Sequence, residues 1–138
     1  MTDRAVSPRR RIVVVDDDAM VRETVRLSLE HAGFFVQTVD DPQSVEAAVA
    51  AVKDAKADLV VLDMYMGPVD GREVARALKA DAATARVPLV FFTGSNEAVD
   101  VVTGLETGAV DYIAKPIDGE ILIGKIRHIL RLDKPDAR

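Results

Sequence analysis

Residues 9–20 read RRRIVVVDDDAM, in which four β-branched residues lead directly into three aspartates. A short apolar run of this kind predicts a strand that is buried on both faces, as in a parallel sheet. Two like charges about 4 Å apart repel by about 1 kcal/mol in water and by about 4 kcal/mol at an effective dielectric constant near 20. The acidic run therefore needs a compensating interaction.

Four more apolar runs follow, and they alternate with longer segments of helical periodicity. This alternation predicts five βα units with a parallel sheet that is buried on both faces. In a doubly wound α/β sheet of strand order 2-1-3-4-5, the ligand site falls between strands 1 and 3. The predicted strands are 12–15, 34–39, 59–62, 88–92 and 110–114.

Capping residues predict where the helices begin and end. The first helix carries an apolar face and stops at Gly33, where a C-terminal cap is expected. Asp41 and Pro42 predict the start of a second helix that runs to about Ala57. The remaining predicted boundaries are Gly71 for the third helix, Ser95 or Asn96 to Gly108 for the fourth, and Asp118 for the fifth.

Composition limits the classes of protein. A chain of 138 residues fits one domain, and a net charge of -5 argues against a general nucleic-acid surface. We interpret Arg9, Arg10 and Arg11 as a solvated arm. The absence of cysteine excludes disulfides and thiolate chemistry. The sequence has neither a signal-peptide h-region nor an apolar run of about 18 residues, so we expect no membrane insertion and a cytoplasmic location.

Polar residues collect directly after the predicted strands. Asp16 and Asp17 follow the first strand, Asp63 the third, Thr93 the fourth and Lys115 the fifth. In an open parallel sheet these positions meet at the carboxyl edge, where ligands bind. A hard divalent cation such as Mg²⁺ would keep three carboxylates ionised, and a lysine with a hydroxyl suits a phosphoryl group.

The segments VVVDDDAM, DLVVLDMYMGPVDG, FFTGS and DYIAKPI occur in this order. Together they resemble the receiver domain of two-component response regulators, of which the chemotaxis regulator is the simplest member. The resemblance implies a flavodoxin-like fold over residues 11–131. It leaves residues 1–10 as a flexible N-terminal arm and residues 132–138 as a C-terminal tail or the start of a linker.

The resemblance also implies residue roles and a cofactor. The expected cofactor is Mg²⁺, with Mn²⁺ as an alternative. The implied site consists of Asp63 as the phosphoacceptor, Asp16 and Asp17 as metal ligands with Asp63, the Tyr65 backbone carbonyl as a further metal ligand, and Thr93 and Lys115 as contacts of the phosphoryl group.

Four further expectations follow from the family. Thr93 and Tyr112 form the switch, and Tyr65 and Ser95 occupy positions that tune hydrolysis. Bulky Tyr65 is expected to hinder the attacking water and to give a long-lived phosphoform. One departure is that Gly67 followed by Pro68 replaces the usual proline four residues after the phosphoacceptor, which predicts a different loop backbone.

The expected partners are a sensor histidine kinase or a histidine phosphotransfer protein, and a downstream protein or effector domain. The chain is interpreted as a stand-alone regulator or as the receiver part of a longer one, with no direct nucleic-acid contact. A phosphorylation-linked homodimer through the fourth helix, fifth strand and fifth helix would use Asp111 and Arg127 as ion-pair members. The protein is expected to promote only its own phosphorylation and dephosphorylation.

Two other classes of protein are alternatives to a receiver domain. A phosphatase of haloacid dehalogenase style also uses an aspartate nucleophile with Mg²⁺, but Met20 stands where its motif has threonine or valine. A nucleotide- or flavin-binding module needs a glycine-rich loop after the first strand, and no glycine precedes Gly33.

Overall fold

The computed structural model describes residues 9–40, 42–94, 98–115 and 118–131. The strands are β1 (Arg11–Val15), β2 (Phe35–Val39), β3 (Leu59–Leu62), β4 (Tyr65–Met66), β5 (Val69–Asp70), β6 (Leu89–Thr93) and β7 (Asp111–Ala114). The helices are α1 (Ala19–His31), α2 (Val45–Ala55), α3 (Gly71–Ala80), α4 (Ala98–Glu106) and α5 (Gly119–Ile129).

The main sheet has five parallel strands in the order β2-β1-β3-β6-β7. Counted in chain order within this sheet, the strand order is 2-1-3-4-5, so the predicted fold and topology are confirmed. β1 lies between β2 and β3, and Val15 at its end is paired with Leu62 at the end of β3. This register places the residues that follow β1 and β3 next to each other.

Alternation along each buried strand fills two separate apolar layers. Val13 and Val15 of β1 belong to one cluster, which includes buried residues of α2 and α3. Ile12 and Val14 point the other way and belong to a second cluster with residues of α1 and α5. Because helices cover both faces, β1 needs an apolar side chain at each of these positions.

Most predicted helix boundaries agree with the structure. α1 stops at His31 and is followed by Gly33 at a φ of +101°. α3 begins at Gly71 as predicted, and Asp118 caps α5 by accepting hydrogen bonds from the amides of Glu120 and Ile121. Ser95 and Asn96, the predicted caps of the fourth helix, lie outside the described residues, as does Asp41.

The predicted start of the second helix at Pro42 is wrong. α2 begins at Val45, and the Ser44 hydroxyl caps it by accepting a hydrogen bond from the Ala47 amide at 3.0 Å. The helix ends at Ala55, two residues earlier than expected, because Lys56 adopts a left-handed conformation with a φ of 54°. Serine is as good an N-cap as aspartate, so the sequence alone did not distinguish the two positions.

The Gly67–Pro68 departure produces a small hairpin that the sequence did not predict. β4 and β5 pair antiparallel, with Tyr65 opposite Asp70 and Gly67–Pro68 as the two-residue connection. Gly67 has a φ of +62°, which a glycine adopts without strain and which a first turn position of this kind requires. The altered loop therefore keeps Asp70 in register as the N-cap of α3, where it accepts from the Arg72 amide.

Gly71 lets the start of α3 approach the end of β3. Its amide donates to the Met64 carbonyl at 2.8 Å. A Cβ at this position would collide with the Asp63 carbonyl oxygen and lie 2.9 Å from Met64 Cα. Both obstacles are backbone atoms, so neither can rotate away.

We expect Gly71→Ala to lower the free energy of unfolding by about 1–3 kcal/mol, because the backbone must shift to admit the methyl group. Gly124 in α5 is the matched control, since it is exposed and a Cβ there meets nothing within 4 Å. Gly124→Ala should raise the free energy of unfolding by about 0.5–1 kcal/mol through helix propensity. Urea unfolding of both variants measures this, and equal effects would contradict the steric explanation.

Candidate functional site

Three carboxylates meet at the carboxyl ends of β1 and β3. Asp16 directly follows Val15, and Asp63 is held beside it because its amide donates to the Val15 carbonyl at 2.9 Å. Asp16 is 1% exposed and Asp63 is 4% exposed, whereas Asp17 is exposed to solvent. One carboxylate oxygen from each of the three lies within 4.8 Å of the others. The structure thus brings the three predicted acidic residues together.

Lys115 supplies the positive charge of the cluster. Its Nζ lies 3.0 Å from Asp16 Oδ2 and 3.4 Å from Asp63 Oδ2. Its backbone amide donates to the Thr93 carbonyl at 2.8 Å, which ties the residue after β7 to the end of β6. The ammonium also lies 5.2 Å from the centroid of the Phe92 ring. The predicted lysine is therefore placed at the two buried carboxylates.

Burial and charge perturb the ionisation of this cluster. Burial raises the pKa of Asp63 to about 6, and the negative charge of Asp16 adds to the increase. The Lys115 ammonium opposes both effects but does not outweigh them. Burial alone would lower the pKa of Lys115, but contacts with Asp16 and Asp63 raise it above its usual value. The lysine therefore stays charged, while Asp63 titrates above its usual range.

The donor set fits a hard divalent cation. Asp16 Oδ1 accepts a hydrogen bond from the Asp18 amide at 2.9 Å. Asp16 Oδ2 is buried and lies beside Lys115, but it has no hydrogen-bond partner within the described part of the chain. A carboxylate oxygen without a directed donor, next to two more carboxylates, provides the oxygen ligands that Mg²⁺ prefers. Asp18 itself caps α1 through the amides of Met20 and Val21.

The predicted switch residues lie on neighbouring strands. Thr93 is 1% exposed and ends β6. Phe91 of β6 is paired with Tyr112 of β7, and side chains alternate, so Thr93 and Phe91 share a face of the sheet. The Tyr112 ring packs against the apolar cluster on this face, and its hydroxyl is buried without a hydrogen-bond partner among the described residues. Ser95 lies outside the described residues.

Tyr65 makes contacts that the sequence did not predict. Its amide donates to Asp63 Oδ1 at 3.4 Å, and its phenol donates to Asp100 Oδ1 on α4 at 2.8 Å. The Arg72 guanidinium lies 5.5 Å from the ring centroid and is bound by Asp70. The hydrogen bond to Asp100 raises the pKa of Tyr65 above its usual value. Because 35 residues separate Tyr65 from Asp100, no local sequence pattern indicates the pair.

Arg22 is a second residue that sequence reasoning missed. It lies in α1, and its guanidinium donates to the Asp16 carbonyl at 2.8 Å. The same side chain lies 4.0 Å from Asp40, after β2. Its only sequence signal is its place one turn after the Asp18 cap.

The fold and this cluster define a doubly wound α/β protein with an acidic, lysine-containing cleft at its carboxyl edge. The sequence model of the family described as "Response regulator receiver domain" matches residues 12–127. The chain therefore belongs to the response regulator receiver domain family and is a receiver domain of the two-component type.

Known proteins share this sequence and fold. The DNA-binding response regulator MtrA of Mycobacterium tuberculosis (strain ATCC 25618 / H37Rv) is 41% identical over 123 residues, which are 89% of this chain and 51% of MtrA. A two-component response regulator from Clostridium difficile superimposes with a TM-score of 0.79 at 27% identity, covering 89% of this chain and 97% of that one.

A third comparison shows the fold alone. The receiver domain of sensor histidine kinase PA1611 from Pseudomonas aeruginosa PAO1 has a TM-score of 0.77 at 23% identity, covering 88% of this chain and 97% of that one. That protein carries a magnesium ion coordinated in its active site cleft.

The chain spans about half the length of the curated relatives it matches. None of these matches supports the phosphatase alternative. Within the ranges that the structure describes, no helix is both long enough and apolar enough to cross a membrane.

The raised pKa of Asp63 predicts that, without bound metal, the free energy of unfolding of the protein depends on pH. Between the unfolded value of 3.8 and the folded value of about 6, the folded state binds more protons, so stability falls as pH rises. At about pH 7, Asp63→Asn should raise the free energy of unfolding by about 1–3 kcal/mol, since it removes the unfavourable charge.

The gain should vanish below about pH 4, where Asp63 is protonated in both states. Urea unfolding in chelator across this range measures it, and a gain that is the same at every pH would contradict the electrostatic cause. If Asp63 is a ligand of Mg²⁺, added Mg²⁺ should stabilise the parent more than the variant.

Proposed function

We propose that residues 11–131 act as a receiver that takes a phosphoryl group onto Asp63 from a sensor histidine kinase or a histidine phosphotransfer protein. Residues 1–10 serve as an arm, and residues 132–138 as a tail or the start of a linker. The observation that carries the proposal is the buried Asp63 carboxylate beside Asp16 and the Lys115 ammonium. A cytoplasmic location belongs to the same proposal, as the family implies.

The charge balance of the cleft supports a cation. Three carboxylates face one ammonium, which leaves two negative charges when all four groups are ionised. The carboxylates of Asp16, Asp17 and Asp63, with the Tyr65 carbonyl, would hold the ion. Bound Mg²⁺, or Mn²⁺ in its place, supplies positive charge that neutralises the oxygens of the phosphoryl group.

The side chains have distinct roles in the transfer. An Asp63 carboxylate oxygen attacks the phosphorus of a phosphohistidine, the phosphorus–nitrogen bond breaks, and its electron pair stays on the imidazole nitrogen. Lys115 neutralises charge on the phosphoryl oxygens, and the Thr93 hydroxyl donates a hydrogen bond to one of them. The domain promotes only this self-directed transfer and the later hydrolysis of its own acyl phosphate.

Phosphorylation would act on the face formed by α4, β7 and α5. A phosphoryl group adds nearly two negative charges and three acceptor oxygens, which draw the Thr93 hydroxyl inward. Tyr112 shares the face of Thr93, and within the described part of the chain its buried hydroxyl has no hydrogen-bond partner. The pair therefore shifts between two arrangements that the phosphoryl group biases.

The shifted face would control a downstream protein, an effector domain or a homodimer. The expected intermolecular ion pairs that involve Asp111 and Arg127 compete with contacts inside the chain. Asp111 pairs with Lys125 Nζ at 3.0 Å, and Arg127 donates to the Ala32 carbonyl at 3.4 Å. A dimer that used Asp111 and Arg127 would have to exchange these contacts.

We propose that this stretch makes no direct contact with nucleic acid. Its net charge is -5, and Arg11 of the basic cluster is not in the arm: it begins β1, where its guanidinium stacks on Phe35 and its backbone amide donates to the Asp58 carboxylate. MtrA is named a DNA-binding regulator and is about twice as long, so DNA contact in a longer regulator of this kind would belong to a further domain.

We expect the protein to become labelled on Asp63 when it is incubated with acetyl phosphate and Mg²⁺. Asp63→Asn should abolish the label, as should a chelator, while Asp54→Asn on the exposed side of α2 should leave it unchanged. Mass spectrometry of the labelled peptide locates the phosphoryl group. Label elsewhere on the chain, or multiple turnover of phosphate monoesters, would contradict the receiver function.

We expect a long-lived phosphoform, because bulky Tyr65, whose amide donates to Asp63 Oδ1, would hinder the attacking water. Tyr65→Ala should speed decay about tenfold, the effect of about 1.4 kcal/mol in the barrier. Loss of label from purified protein after the phosphodonor is removed measures both rates. Decay of the parent within seconds would count against this role.

A further inference from the structure

Two contacts hold the Tyr65 side chain, which packing alone does not fix. Tyr65 is 47% exposed, so packing alone does not fix its ring. Its phenol nevertheless donates to Asp100 at 2.8 Å, and the Arg72 guanidinium lies against the ring. The ring therefore spans the distance from the loop after β3 to α4.

Asp100 belongs to a different element from the residue that it binds. It lies in the first turn of α4, whereas Tyr65 starts the β4–β5 hairpin directly after Asp63. An acidic residue in a first helical turn is favourable by itself, because it complements the helix dipole. That preference does not explain the hydrogen bond to Tyr65, since any negative charge in the first turn interacts favourably with the helix dipole, whether or not it accepts from a phenol.

We propose that Asp100 is a positioning residue: by accepting from the phenol it fixes the side chain of Tyr65, the residue whose amide donates to Asp63 Oδ1, and thereby slows hydrolysis of the phosphoform. This inference rests on the proposed phosphorylation of Asp63. In the hydrolysis, a water oxygen attacks phosphorus and the bond from phosphorus to the Asp63 oxygen breaks. Its electron pair returns to the carboxylate, and inorganic phosphate leaves while water gives up a proton.

The placement of Asp100 links phosphoform lifetime to α4. Gly104 lets this helix pack closely, since a Cβ there would lie 2.9 Å from Met64 Cε and 3.1 Å from a Phe91 ring carbon. α4 therefore rests on the residue between Asp63 and Tyr65. A displacement of α4 would move Asp100 and release the Tyr65 ring, so that hydrolysis would respond to what contacts this helix.

The test compares two variants that lack the charge and differ in the acceptor. Asp100→Asn keeps a side-chain oxygen for the Tyr65 phenol, whereas Asp100→Ala removes it. Each is made in the parent and in a Tyr65→Phe background, which keeps the ring and loses the hydroxyl. Every protein is labelled with acetyl phosphate and Mg²⁺, and decay is followed after the phosphodonor is removed.

We expect Asp100→Ala to decay about three- to tenfold faster than Asp100→Asn, the range set by one hydrogen bond. In the Tyr65→Phe background the two should decay at the same rate, and Tyr65→Phe alone should match Asp100→Ala. The rescue by asparagine separates positioning from a charge effect on the helix. Should Asp100→Ala fail to fold, Tyr65→Phe decaying as slowly as the parent would still overturn the proposal.

Two failures are distinguishable. A parent protein that takes no label on Asp63 contradicts the proposed function. A parent that is labelled, with Asp100→Ala and Asp100→Asn decaying equally fast, contradicts only the role of Asp100.

Discussion

The repulsion between two buried carboxylates is the constraint on which this structure depends. Asp16 and Asp63 are neighbours because β1 and β3 are hydrogen-bonded neighbours in a parallel sheet. Backbone hydrogen bonds hold these strands together, so rotation of the side chains cannot separate the two residues. The apolar layers on both faces lower the local dielectric, which strengthens the repulsion. Lys115, directly after β7, offsets part of this repulsion, but burial and the charge of Asp16 together still raise the pKa of Asp63.

The surrounding elements hold this unfavourable cluster in place through the backbone. The Asp18 amide binds Asp16, and the Tyr65 amide binds Asp63, so each carboxylate has one oxygen fixed by the loop that follows its strand. The Asp18 side chain also caps α1, so that one residue starts a helix and supports the site. The other oxygens of Asp16 and Asp63, Oδ2 in both, lie 3.0 Å and 3.4 Å from Lys115 Nζ.

Local signals explain how much of this was predictable. Short segments of sequence are enough to predict buried strands and capping residues. The sequence therefore predicted the strand order, the caps at Asp118 and Asp70–Gly71, and the proximity of Asp16, Asp63 and Lys115. The α2 start did not, because Ser44 and Asp41 are equally good caps. The hairpin at Gly67 is local, but the Gly67–Pro68 departure predicted only a different loop backbone. The pairing of Tyr65 with Asp100 depends on tertiary geometry, which no spacing rule encodes.

Asp100 also connects the two tyrosines of the chain. Its hydrogen bond raises the pKa of Tyr65, and its negative charge adds to the burial that raises the pKa of Tyr112. The Tyr65 hydroxyl donates to Asp100, whereas the buried Tyr112 hydroxyl has no hydrogen-bond partner among the residues that the structure describes, and a buried hydroxyl without a partner costs about 1–3 kcal/mol. Asp100, in the first turn of α4, therefore acts on both tyrosines. Movement of this turn would change the surroundings of both tyrosines together.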